Sequence, residues 1–314
     1  MTETPDPQPF ASSGDSRPPV ASPHLICVQA AVPHPIGAVS CFFGRHYIPK
    51  CGSDEIGVSH RLDVAKMTSM APGSFELSGR DVHVWTLRTG AEGAVAAKLE
   101  AILSPDERDR AARFLQEQPR QSFVVTRGVL RCLLGCYLGV HAASVRFSYS
   151  SNGKPGLASA EPIKFNTTHS NGMAAFAFTR GCQLGIDLEL IRPLTEIQSL
   201  AHRFFCPEET AEIMSLAPAE RVRAFFCCWT RKEAYIKAIG DGLSVPLNKF
   251  RVTVRPNEPA RFVRFGRDTN DAQTWTLQDL CLASDCVAAL AYPGRQRPLS
   301  VFPICDPSQF VVQP

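Results

Sequence analysis

The chain has 314 residues, 44% of them apolar, with 33 Lys and Arg against 30 Asp and Glu. That is enough apolar material to bury a core in one large domain or two modest ones, and it excludes a disordered polymer. The near balance of charge excludes a protein that holds nucleic acid through net charge, while leaving room for a local basic patch facing an anionic ligand.

Twelve cysteines are present without a C-x-x-C pair, so zinc-ligand spacing is missing. They are expected to be buried, reduced thiols in a cytoplasmic protein. The first 23 residues, "MTETPDPQPFASSGDSRPPVASP", hold six prolines and three acids. With no basic stretch leading an apolar one, they resemble neither a secretory signal nor a transit peptide and read as disordered. Residues 24–79 alternate short apolar pieces with Pro, Gly and His and suggest no function, so 1–79 is set apart as an N-terminal extension. No apolar run approaches the roughly 18 residues that cross a bilayer, and a soluble protein is expected.

From "DVHVWTLRTG" onward the pattern sharpens. Val82 and Val84 alternate with His83, Trp85 and Leu87 as in a strand. "LSPDERDRAARFL" carries Ser104 as N-cap, Pro105 at the first helical position and Glu107 three residues past the cap, which predicts a helix start with a capping box. A second helix is predicted from about Pro119 to Gly139, its Arg120, Arg127 and Arg131 on a face taken to be solvated. "VRFSY", "IKFNTTHS", "MAAFAF" and "QLGIDLEL" follow, separated by Asn152-Gly153, Asn171-Gly172 and Arg180-Gly181, and predict an antiparallel meander. Beyond Pro193, "EIQSLAHRFF" and "PEETAEIMSL" read as helices. "PAERVRAFFCCWTRKEAYIKAIG" reads as a longer one stopped by Gly240 and Gly242. Strands "FRVTV", "WTLQDL" and "CVAALAY" close the chain.

"RGVLRCLLGCYLG" leading to "AAFAF" mirrors "RKEAYIKAIGDGLS" leading to "VAALAY". The predicted fold is therefore α+β, with two pseudo-symmetric halves at 80–190 and 191–314. Each half is a helix packed on a small antiparallel sheet, and the ligand cleft lies between them. A chain that supplies both halves is expected to act as a monomer.

In "GIDLEL", Asp187 and Glu189 share one side of a strand whose other side, with Ile186, Leu188 and Leu190, is core. Two neighbouring carboxylates repel unless a cation lies between them, although the motif alone fits two solvated acids equally well. Trp229, Glu233 and Lys237 recur every four residues on one helix face. An exposed Glu–Lys pair at that spacing is worth only a few tenths of a kcal/mol, but buried aromatic surface on the same stripe calls for a partner or a task. Three carboxylates suit magnesium, which also binds substrate phosphates.

"NGKPGL", "FNTTHS", "GIDLE", "RFFCPEE" and "WTRKEAYIKAIGDGLSVPL", in this order, resemble the 4′-phosphopantetheinyl transferases of the surfactin-synthetase-activating (Sfp) type, over about residues 81 to 300. The resemblance implies transfer of the phosphopantetheine arm of coenzyme A to a serine of an apo acyl or peptidyl carrier protein, with release of adenosine 3′,5′-bisphosphate. It also implies that Asp187, Glu189 and Glu233 hold Mg2+, that Glu233 serves as general base, and that Lys237 contacts the pyrophosphate. Lys232 and Trp229 match further fixed positions on that helix. Thr168 and His169 match the coenzyme A 3′-phosphate contacts, with Thr168 in place of the usual serine, while Gly153, Lys154 and Pro155 match the adenine-side loop. Arg110 matches a 3′-phosphate ligand. Glu107 and Ser122 stand where relatives carry basic residues, a departure for which Arg113 or Arg120 can compensate. The alternative from another class is a noncatalytic module that binds coenzyme A or a carrier domain.

Overall fold

The computed structural model describes residues 75–91, 93–240, 245–265 and 274–311. The disorder expected of the first 23 residues and the helix stop expected at Gly242 lie outside them.

The first half runs β1 (Val82–Arg88), α1 (Gly93–Ala101), α2 (Pro105–Ala112), α3 (Glu117–Leu138), a short 3-10 turn, then β2 (Phe147–Tyr149), β3 (Pro155–Leu157), β4 (Ile163–Ser170) and β5 (Met173–Arg180). The same succession follows: β6 (Gly185–Leu190), α4 (Ile197–Phe204), α5 (Pro207–Ser215), α6 (Pro218–Ile239), a 3-10 turn, β7 (Phe250–Val252), β8 (Phe262–Phe265), β9 (Trp275–Leu280) and β10 (Cys286–Pro293). A last strand, β11 (Leu299–Ile304), ends the succession of strands. The long helices α3 and α6 each have 22 residues and end on a glycine in the left-handed region, Gly139 and Gly240, where a Cβ is unfavourable.

Four layers result, read from the period-2 alternation of the strands. β5 places Ala174, Phe176 and Phe178 in a core shared with Trp85, Val129 and Leu133, and so faces α3. Its Ala175 and Ala177 turn to the opposite side, into a core shared with Ile186, Leu188, Ala288 and Leu290. β10 sends Val287, Ala289 and Ala291 the other way, to Ala234 and Ala238 of α6. The order is α3, the sheet β11-β1-β5-β4, the sheet β6-β10-β9, then α6. Small alanines on the facing strands let the sheets and helices approach closely.

Three expectations are corrected. The meander is broken: among the described residues β2 pairs only with β3, and β6 leaves β5 to pair with β10. By order of elements β6 opens the second succession, at Gly185. β1 is a strand as read, and lies inside its sheet, between β5 and β11, the latter in parallel. Arg127 and Arg131 are buried, at 9% and 1% exposure, because Glu107 turns inward to pair with both. Cys281 and Cys305 are exposed, whereas Cys132, Cys136, Cys206, Cys227, Cys228 and Cys286 are buried as free thiols.

The two halves repeat one supporting device. The backbone N–H of Ser104 donates to Glu107, and that of Cys206 to Glu209, each at 3.0 Å. Each capping carboxylate then accepts a buried cation of its long helix: Arg131 at 2.6 Å in the first half, Lys232 at 2.9 Å in the second. Both cations also donate to carbonyls just past the helix, Arg131 to Ala142 and Val145, Lys232 to Leu247 and Phe250. A buried charge with every donor satisfied is tolerable; one left alone is not.

Candidate active site

α6 lies directly across β6 because residue 185 is glycine. A Cβ there would stand 2.0 Å from the carbonyl oxygen of Ala234 and 2.3 Å from the backbone nitrogen of Ala238. With β6 pressed against the helix, Ile186 and Leu188 enter the core between the sheets. Asp187 and Glu189 turn toward α6, as alternation requires. Asp187 is 5% exposed and Glu233 9%, so the carboxylate face of the strand is covered by the helix and not solvated.

Lys237 Nζ donates to Asp187 Oδ1 at 2.6 Å and to Thr168 Oγ1 at 3.1 Å, and the Thr168 hydroxyl donates to Asp187 Oδ1 at 3.1 Å. Asp187 Oδ2 is buried and has no hydrogen-bond partner among the described residues. Glu189 Oε2 accepts from Ser170 Oγ at 2.8 Å and from Arg192 at 3.3 Å. Burial, reinforced by the charge of Asp187, raises the Glu233 carboxyl from its ordinary 4.5 to about 7, with Lys237 pulling the other way. Burial and Asp187 push Glu189 upward too. Burial opposes the charge of Lys237, but Asp187 and Glu233 outweigh it and hold the ammonium charged above its usual range.

The residues fit a hard divalent cation in their chemistry. The charges of Asp187 and Glu189 both act on Glu233, and a buried carboxylate oxygen of Asp187 lacks a hydrogen bond among the described residues, which is the kind of oxygen donor such a cation takes. Among the described residues no group of three His, Cys, Asp or Glu side chains stands in a metal-holding arrangement. As placed, Lys237 balances Asp187, and a bound ion would require the three carboxylates to close on one point.

Three of the residues that the resemblance marks have protein partners in this structure. Lys232 is wholly buried, and Glu209, Leu247 and Phe250 accept from its ammonium, which also lies 4.4 Å from the Phe250 ring, so it supports α6. Thr168 is 4% exposed, its hydroxyl held between Asp187 and Lys237. Lys154 caps the end of α6, donating to the carbonyls of Leu184, Lys237 and Ala238, and burial lowers its pKa to about 8.

His169, on the opposite face of β4, is exposed. Gly153, with φ 78°, makes the exposed turn between β2 and β3, and Pro155 opens β3. Arg110 lies on α2, over the Phe123 ring at 5.2 Å, and Arg113 is exposed just past that helix. Both belong to the outer layer beside α3, not to the layer of α6. Glu107 and Ser122 have structural partners in place of phosphate: the two arginines for Glu107, and Thr89 Oγ1 at 3.0 Å for Ser122. Trp229 packs on Phe225 and Phe204 and fixes the aromatic end of the helix stripe.

An acidic strand under a helix that contributes a further carboxylate and an ammonium defines a candidate phosphoryl-transfer centre in a mixed helix-and-sheet protein. Comparison with known proteins makes the assignment specific. Residues 183–291 match the model of the 4'-phosphopantetheinyl transferase superfamily. The 4'-phosphopantetheinyl transferase HetI of Nostoc sp. is 38% identical over 226 residues, covering 71% of this chain and 92% of that protein. The 4'-phosphopantetheinyl transferase Sfp of Bacillus subtilis is 28% identical, covering 48% of this chain and 66% of that protein. A phosphopantetheinyl transferase of Thraustochytrium sp. is 29% identical, covering 55% and 66%. The chain belongs to the 4'-phosphopantetheinyl transferase family. No helix among the described residues is long and apolar enough to cross a membrane.

Proposed function

We propose that the protein transfers the 4′-phosphopantetheine arm of coenzyme A to a serine hydroxyl of an apo acyl or peptidyl carrier protein, with adenosine 3′,5′-bisphosphate as the other product. The serine oxygen forms a bond to the pyrophosphate phosphorus nearer the pantetheine, and the bond from that phosphorus to the bridging oxygen breaks. The serine proton passes to Glu233. A carboxyl raised to about 7 is suited to this, being able to hold or release a proton near neutrality. Lys237 places an ammonium where charge grows on the departing phosphate, and most of the catalysis is positioning and electrostatics.

Asp187, Glu189 and Glu233 would hold Mg2+, which when bound neutralises the pyrophosphate oxygens. The observation that carries the reading is the buried, unpartnered Oδ2 of Asp187 beside Glu233 and Lys237. The like succession of elements in the two halves supports a pseudo-symmetric pair with the ligand between them, acting as one chain. His169, Gly153, Pro155, Arg110 and Arg113 are proposed for the nucleotide side. The test is to incubate the protein with coenzyme A, Mg2+ and a panel of apo carrier domains and to weigh the carriers. One or more is expected to gain the mass of the phosphopantetheine arm; no gain across acyl and peptidyl carriers refutes the reading.

A further inference from the structure

β4 is the edge strand of one sheet and β6 the edge strand of the other, and they meet through side chains in place of a backbone ladder. Asn166, Thr168 and Ser170 are two apart on β4 and share a face. Asn166 Oδ1 accepts from the backbone N–H of Ile186 at 2.9 Å, the Thr168 hydroxyl donates to Asp187, and the Ser170 hydroxyl donates to Glu189 Oε2 at 2.8 Å. Ser170 Oγ also accepts from the N–H of Leu190 at 3.4 Å. All three are buried, at 7%, 4% and 2% exposure. The register of this polar row matches that of the acids: Thr168 reaches Asp187, and two residues on, Ser170 reaches Glu189.

We propose that Ser170, with Asn166 and Thr168, is a positioning residue that aims the acidic pair from the other half of the molecule. The inference rests on the function proposed above. Each hydroxyl has one proton and gives it to a carboxylate, so Thr168 holds Oδ1 of Asp187 and Ser170 holds Oε2 of Glu189. Ser170 is held in turn by the N–H of Leu190, which sets the direction of its own donation. The first half thereby controls the orientation of acids that belong to the second, and a shift between the sheets would turn both carboxylates together. Partners that orient metal-ligating side chains are commonly worth about tenfold or more in metal affinity.

The experiment compares wild type, S170A and S170T. The rise in melting temperature is followed as Mg2+ is titrated without coenzyme A, and transfer activity is followed over the same Mg2+ range. S170A is expected to need about tenfold more Mg2+ for half of either effect, with turnover largely regained at saturating Mg2+. S170T, which keeps the hydroxyl, is expected to stay near wild type. Equal Mg2+ dependence in S170A and wild type overturns the proposal, as does a tenfold weakening in S170T equal to that in S170A. A urea midpoint lowered in S170A with unchanged Mg2+ dependence assigns Ser170 to structure alone and also overturns it. Wild type that responds to Mg2+ in neither readout refutes the function proposed above, and this inference with it.

Discussion

Glu233→Gln is expected to make the protein more stable and at the same time inactive. The Glu233 carboxyl is buried next to Asp187 and is raised from 4.5 to about 7. Below pH 4.5 both the folded and the unfolded chain carry the proton, and the residue costs nothing. Between 4.5 and 7 the unfolded chain has lost a proton that the folded chain retains, so stability falls as pH rises. Above 7 the full cost is present. At about 1.4 kcal/mol for each pH unit between the two values, that cost is on the order of 3 kcal/mol.

Glutamine has nearly the same shape and no charge, so it removes the cost. Urea unfolding of wild type and variant at pH 5, 6, 7 and 8, without divalent metal, is expected to show a difference of under about 1 kcal/mol at pH 5 that grows to roughly 3 kcal/mol in favour of the variant by pH 8. Transfer activity is expected to vanish in the variant at every pH, as in other sites that trade stability for function. A variant less stable than wild type at pH 8, or a difference that does not change with pH, would refute the argument. Either result would mean that Lys237 outweighs burial and Asp187 at this carboxyl.

Two further substitutions test how the site is supported. Gly185→Ala places a Cβ 2.0 Å from the Ala234 carbonyl oxygen, against helix backbone that cannot give way as a side chain would. It is expected to lower stability by about 2 kcal/mol or more and to reduce transfer by separating Lys237 from Asp187; a urea midpoint unchanged from wild type would show that α6 does not depend on this close approach. Lys232→Met leaves the buried carboxylate of Glu209 without its cation, at a cost of about 3–5 kcal/mol measured by urea unfolding. Joint replacement with Glu209→Gln is expected to recover part of the loss, and strict additivity of the two changes would argue against the pair.

The features legible in the residues are those set by local periodicity. The stripe Trp229, Glu233, Lys237 lies on one face because helix geometry puts it there, and Asp187 and Glu189 share a strand side for the corresponding reason. Gly139 and Gly240 end their helices because only the left-handed region continues the chain there. Ser104 and Glu107 form their capping box as written.

Features that join distant segments were not legible. The motif marks Thr168 as a ligand contact and says nothing of Asp187 until β4 is placed against β6, and Ser170 has no visible task until Glu189 arrives beside it. Lys232 stands on the same helix as Lys237, five residues earlier, and nothing local says that one is sealed against Glu209 while the other reaches Asp187. The arginines of α3 look solvated because their partner, Glu107, belongs to another helix. The parallel pairing of β11 with β1 joins the two ends of the described chain, beyond any short-range signal.

The sequence by itself determined most of the elements, though not α1, β3, β8 or β11, together with the chemistry of their faces and the family, since propensity, spacing and motif order act over a few residues at a time. Tertiary structure alone decided which of those groups are buried together, which lysine faces the acids and which hydroxyls aim them. Burial and electrostatic coupling depend on distances between segments that are far apart along the chain, and those distances exist only after the layers have packed.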